Sequence, residues 1–240
     1  MIRIANGQGF WGDWLEAPVR LVEQGPIDYL ALDYLAEITM SILQKQKQAD
    51  SNLGYARDFP PLVARLARPL RERGIKIIAN AGGVNPVACA REVLRLAPGL
   101  QVAVVQGDDV FARLDEFLGK GYEMRDMDSG EPLSKIRGDI LSANAYIGAF
   151  PLAEALATGA DVVIAGRSTD TALTLAPMVH RFGWKPDDFD KLRPVRLRVT
   201  SSSAGPSAVA AIARWIGRPF RIWPTSATRS SRPSPTARLW

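Results

Sequence analysis

The chain has 240 residues, 47% of them hydrophobic, enough to bury one good core or two small ones. A single cysteine, Cys89, excludes an internal disulfide, and with His180 the lone histidine, a His/Cys zinc cluster within one chain is excluded too. The formal charge of +5 is unevenly placed: nine of the 30 basic residues fall in 192–240, which holds no Asp or Glu, so residues 1–191 are net acidic and carry no footprint for nucleic acid or an anionic membrane.

In chain order, short apolar runs end on small or polar residues and are followed by helical patterns, the signature of parallel βαβ units. Strands are predicted near 2–5, 28–33, 75–79, 101–106 and 161–165, with helices near 14–24, 35–48, 60–74, 86–97, 109–119, 151–158 and 169–182. The helix over 60–74 spaces Leu62, Leu66 and Leu70 on one face and Arg65, Arg68, Arg71 and Arg73 on the other, a solvated basic surface; Gly74 is expected to cap it. Residues 121–143 lack periodicity and carry the turn sequence Asp128-Ser129-Gly130-Glu131-Pro132, so a small hairpin or a lid is expected there. The fold class is therefore α/β, a Rossmann-like layered fold with a mainly parallel sheet. No apolar stretch approaches membrane-spanning length and no charged leader precedes an apolar segment, so a cytoplasmic protein is expected.

From Leu192 onward Arg, Ser and Pro dominate and apolar alternation nearly vanishes. Such a composition cannot offset its ordering entropy, so a disordered basic tail is one reading. A nucleic-acid or membrane arm with Trp215, Phe220 and Trp223 among the arginines is another. The preferred one is translation out of frame: codons displaced by two bases yield strings with glycine turns and strand-like runs. The domain organisation expected is an α/β domain over 1–191, incomplete at its C-terminal side, and a tail over 192–240.

In parallel sheets ligands gather at the carboxyl ends of the strands, so polar residues there are the site candidates. The first cluster, Asn6-Gly7-Gln8-Gly9-Phe10-Trp11-Gly12-Asp13, has a glycine spacing that permits close backbone approach, and Asn6, Gly7, Gly9, Trp11 and Asp13 are expected ligand contacts. It has the form of a dinucleotide fingerprint with Asp33 as the following acid, but Phe10, Trp11 and Trp14 are bulky for that turn and Asp13 would repel a pyrophosphate. Next, Asp33 and Glu37 lie one helical turn apart, suiting acid/base work or a metal, or simply a helix cap with a first-turn acid. Asn80, Gly82, Gly83 and Asn85 form an amide-bracketed glycine turn before Pro86, with exposed N–H groups for an anion or carbonyl. Gln106-Gly107-Asp108-Asp109 repeats the geometry after the fourth strand, with Asp108 or Asp109 as a cap or a metal ligand and Asp108 the ligand-binding candidate.

The last cluster joins Asn144 and Tyr146 to Gly166, Arg167, Thr169 and Asp170. A guanidinium beside a helix N-terminus suits a carboxylate or phosphate, the alternative being a structural Arg167–Asp170 ion pair with Ser168 or Thr169 as helix cap. Asp33, Glu37, Arg167 and Asp170 are the catalytic candidates, and the remaining residues of these clusters the ligand-binding ones. Cys89 reads as a buried small side chain and His180 as a surface residue. The residues identify no cofactor or metal.

These segments, together with Gly54-Tyr55-Ala56-Arg57-Asp58-Phe59 and Ser142-Ala143-Asn144-Ala145-Tyr146, resemble in order the acyclic terpene utilisation AtuA family, in its N-terminal domain, over Met1 to about Leu192. The resemblance implies bacterial catabolism of acyclic terpenoids or related branched carboxylic acids, pathways that work on CoA thioesters. It assigns no reaction, cofactor or catalytic residue. The expected partner is a small carboxylate or acyl-CoA, not nucleic acid or a membrane, with an oligomer or partner subunit left open. A ligand-sensing or scaffolding subunit of the same pathway is the alternative to an enzyme.

Overall fold

The computed structural model describes residues 2–192 and the backbone of 210–212 and 221–223. Five short strands, β1 (Ile4–Gln8), β2 (Tyr29–Leu32), β3 (Lys76–Ala79), β4 (Val102–Val105) and β5 (Val162–Ala165), form an all-parallel sheet in the order β1-β2-β3-β5-β4. The inner strands read Tyr-Leu-Ala-Leu, Lys-Ile-Ile-Ala and Val-Val-Ile-Ala because both of their faces are covered, which removes any reason to alternate polar and apolar residues.

The helices divide between the faces as the handedness of the crossovers requires. From β1 to β2 to β3 the chain moves one way across the sheet. It then passes over one position to β4, and α1 (Glu16–Gln24), α2 (Glu37–Ala49), α3 (Phe59–Arg73) and α4 (Pro86–Leu96) pack their apolar sides on one face through Val19, Val22, Leu43, Leu66 and Val93. The step from β4 back to β5 reverses direction. Beyond α5 (Leu114–Gly119), α6 (Ala149–Ala157) and α7 (Ala172–Phe182) therefore cover the opposite face through Leu152, Leu156, Leu173 and Val179. In α3, Leu62, Leu66 and Leu70 are buried, and Gly74 adopts φ 65° to end the helix. Arg65 and Arg68 pair with Glu16 and Glu72 at the surface.

This winding leaves adjacent β3 and β5 with connections that depart to opposite faces, α4 to one and α7 to the other. A crevice opens at the carboxyl edge between such strands. The order also separates the sheet from the dinucleotide-binding arrangement, in which the first strand is central; here β1 lies at an edge. Residues 6–8, expected as a turn, belong to β1, and Gly7 is a packing residue whose Cα lies against Leu30, Leu32 and Pro18.

Between α5 and α6, where a small hairpin or a lid is expected, no hairpin forms. Residues 120–146 form no strand and make two short 3₁₀ turns, Leu133–Lys135 and Arg137–Asp139; Arg125–Glu123 and Lys135–Glu131 pair within the segment, and Arg137 reaches back to Asp115 of α5. In the Arg/Ser/Pro-rich segment, β6 (Ala210–Ile212) and β7 (Arg221–Trp223) pair antiparallel, with β6 near β1. The expectations of disorder and of an out-of-frame origin fall on residues that otherwise lie outside the described ones.

Candidate functional site at the carboxyl edge

Two strand ends meet first. Asp33 follows β2 and Asn80 follows β3, and each is shut away from water, at 8% and 0% exposure. Asn80 Nδ2 donates to Asp33 Oδ1 at 2.6 Å, while Asn80 Oδ1 accepts from the Tyr34 N–H at 2.7 Å. The Leu35 N–H also reaches Asp33 Oδ1, at 3.3 Å. Asp33 thus closes a local turn; it is not the helix cap, which falls on Ala36 without a side-chain bond. Burial pushes the Asp33 carboxyl up to about 6, the Asn80 hydrogen bond opposes this, and the negative field of Asp170 adds to it. The result is a buried carboxyl able to exchange a proton near neutral pH.

Arg167 enters from β5. Its backbone N–H donates to Asp108 Oδ2 at 2.8 Å, and Asn144 Nδ2 donates to the same oxygen at 3.1 Å. Gly166 permits this closeness, because any Cβ there would overlap the Asp108 carboxylate. The Ala145 N–H to Asp108 O and Ile147 N–H to Arg167 O bonds tie the strap over 143–147 to the loops after β4 and β5. From that anchorage the guanidinium spans the edge toward the start of α2. Its Nη1 donates to Leu35 O and its Nη2 to Glu37 Oε1 at 3.0 Å and Tyr146 Oη at 3.3 Å. The Tyr146 ring covers the guanidinium at 4.4 Å. Burial works against the Arg167 charge, but Tyr146 and Glu37 outweigh it and keep the group cationic. Glu37, bonded by Tyr146 Oη at 2.5 Å and facing Arg167, is held down to about 2.

Arg167 pairs more closely with Glu37 than with Asp170, whose carboxylate stands 3.9 Å from Nη1, so the expected Arg167–Asp170 pair is the minor contact. Neither Ser168 nor Thr169 caps α7, whose cap position is Thr171 without a side-chain bond. The Thr169 N–H is instead spent on Ile147 O.

The edge therefore gathers Asp33, Glu37, Asn80, Asp108, Asn144, Tyr146, Gly166, Arg167, Thr169 and Asp170. Gly82 joins them through its N–H to Ala165 O, and a Cβ there would overlap Pro86 and that carbonyl. Gly83, at φ 54°, packs against Leu43 and Gly54. Asn85 caps α4 at Ala88 N and holds Ser51 O and Leu53 O, each at 2.8 Å, on the far side of the turn. Asn6 is buried on the opposite face with Thr174 Oγ1 at 3.1 Å. Gly9 and Asp13 close their own turn, the Gly9 N–H donating to Asp13 Oδ2 at 3.2 Å, and Trp11 Nε1 donates to Asp58 at 2.8 Å.

Two buried polar residues at the edge lie outside the site candidates named from the sequence. Gln8, at the last position of β1, is 1% exposed with neither amide atom partnered, and its carbonyl receives the Asp33 N–H. Ser168, next to Arg167, has a buried hydroxyl likewise without a partner. The polar residue that follows Ile4-Ala5-Asn6-Gly7 was the available signal for Gln8. Among the described residues no group of three or more His, Cys, Asp or Glu side chains is placed to hold a metal ion, and no helix is long and apolar enough to cross a membrane.

Residues 2–194 match the family model of the acyclic terpene utilisation family protein AtuA. The chain belongs to that family. The match takes in every element from β1 to α7 and all the edge residues above. No curated protein and no solved structure matches the chain. Family membership ties this α/β sheet to acyclic terpene utilisation; what the edge residues do chemically rests on their geometry.

Proposed function

We propose that the chain is an enzyme, or a component of one, acting on a carboxylate or its CoA thioester in the utilisation of acyclic terpenes. One observation carries the reading: a buried carboxyl, Asp33, after β2 and a buried cation, Arg167, reaching from the end of β5 to Leu35 beside it, share the carboxyl edge where a parallel sheet offers its ligand site. Arg167 supplies charge-assisted hydrogen bonds to an anionic group, and Asp33 takes up or delivers a proton at an adjacent carbon or oxygen. Asn80 orients Asp33, and Asp108 with Asn144 positions the Arg167 backbone. A cytoplasmic setting and a bacterial acyl-CoA pathway belong to the same proposal.

A thermal-shift screen of the full chain against acyl-CoAs, free aliphatic carboxylates, nucleotides and divalent cations tests the ligand class. Stabilisation by the first two groups is expected, and silence throughout contradicts the reading. Asp33→Asn and Arg167→Gln then separate an enzyme from a sensing or scaffolding subunit. An enzyme loses turnover in both variants, whereas a scaffold retains its partners.

A further inference from the structure

The Arg167–Glu37 pair is unequal. The Arg167 side chain is 6% exposed and that of Glu37 is 76% exposed. A guanidinium buried this far needs an anion continuously, because an uncompensated charge away from water is costly. Glu37 has no such need. It stands in the first turn of α2, gains full hydration on leaving, and loses a contact that on an exposed carboxylate adds little.

The contacts on Glu37 define what could replace it. Arg167 Nη2 and Tyr146 Oη converge on the single oxygen Oε1, at 3.0 and 2.5 Å, and the Tyr146 ring lies over the guanidinium. Two donors and an aromatic cover aimed at one carboxylate oxygen are the recognition elements for an organic carboxylate. Tyr146 is 51% exposed, so this oxygen is reached from solvent without unfolding anything.

We propose that Glu37 is a built-in competitor for the ligand: it fills the carboxylate subsite formed by Arg167 and Tyr146, and a ligand carboxylate enters by displacing it into solvent. This rests on the proposed function above and narrows it. The group that seats on Arg167 is a free carboxylate and not a thioester carbonyl, because the group it replaces is a carboxylate. Glu37 is then a gate and takes no part in proton transfer, which falls to Asp33.

The test is calorimetric titration of the full-length chain with hexanoate, and with hexanamide as the neutral isostere. Removing an internal competitor raises apparent affinity by the reciprocal of the fraction of sites already open. Glu37→Gln is expected to bind hexanoate about three- to tenfold more tightly than wild type, with hexanamide unchanged. Arg167→Gln is expected to lose hexanoate binding whether or not Glu37 is present. Glu37→Ala, checked for native circular dichroism, serves if the glutamine variant does not fold. Equal or weaker hexanoate binding in the Glu37 variants, with dependence on Arg167 intact, overturns the competitor and leaves the carboxylate site standing. Binding that ignores Arg167, or that is missing from wild type and the Glu37 variants alike, overturns both.

Discussion

Asn80 and Asp33, 47 positions apart in sequence, share a 2.6 Å hydrogen bond that joins the ends of two adjacent parallel strands in a water-free layer. The geometry engages both ends of the Asn80 side chain: its Nδ2 donates to Asp33 and its Oδ1 accepts from the Tyr34 N–H. It makes the edge of the sheet a fixed platform from which Asp33 and Arg167 can act, and its energetic consequences are measurable.

The first concerns pH. Asp33 titrates at about 6 when folded and at about 3.8 when unfolded, so between these values the folded state binds more protons. Stability contributed by this group is then fully present below about pH 4 and declines as pH rises through 6, by at most about 3 kcal/mol. Asp33→Asn keeps the acceptor for Asn80 and removes the titration. Urea unfolding at pH 4.5 and 7.5 is expected to show a smaller loss of stability with rising pH in Asp33→Asn than in wild type. Identical pH dependence would count against a buried carboxyl at this place.

Asn80→Ala removes a donor that favours ionised Asp33 and leaves the Tyr34 N–H without its partner. An orphaned buried N–H costs about 1–3 kcal/mol, and the Asp33 titration moves to higher pH than in wild type. Denaturant midpoints measure the first effect, and carbon-13 detection of the Asp33 carboxyl the second. An unchanged or lower Asp33 titration would show that the two side chains do not meet.

Gly166→Ala tests the support of Arg167. The added methyl overlaps the Asp108 carboxylate, which cannot withdraw without giving up its bonds from Arg167 N and Asn144. A loss of about 1–3 kcal/mol is expected, with displacement of the Arg167 backbone amide signal in an NMR spectrum. The same substitution at Gly130, which has no atom within 4 Å of such a methyl and lies away from the edge, acts only through its φ of 71° and leaves that signal in place.

Cys89 supplies a control on the core. It is fully buried in α4, and burial raises its thiol far above the usual range, so less thiolate forms at any working pH. In the native chain it is expected to resist a disulfide reagent over hours and to react at once in denaturant. Prompt native reaction would place α4 off the sheet.

Much of the scaffold was legible because the inner strands are short, almost wholly apolar and followed by Asp33, Asn80 or Gly166; the run at 162–165 could hardly be anything else. The end of β1 was harder. Asn6 and Gln8 look like turn residues, and only packing against α7, where Thr174 meets Asn6, makes a polar residue acceptable inside the sheet. The start of α7 was placed three residues early because Ser168 and Thr169 are held extended against Ile147, a contact between distant segments. The site followed the same pattern. That Asp33, Asn80 and Arg167 end strands is written locally, but the reach of Arg167 across 132 positions to Leu35, and its preference for Glu37 over the nearer-in-sequence Asp170, emerge only from the strand order.

The most direct measurement is an amide and arginine side-chain NMR titration of the isotope-labelled full chain with hexanoate. Shifts concentrated at Glu37, Tyr146, Arg167, Ser168 and the Arg167 guanidinium are the outcome predicted for a carboxylate seated on Arg167 and Tyr146 at the carboxyl edge. Shifts confined to the amino-terminal edge of the sheet, around Lys76 and Asp161, would contradict it.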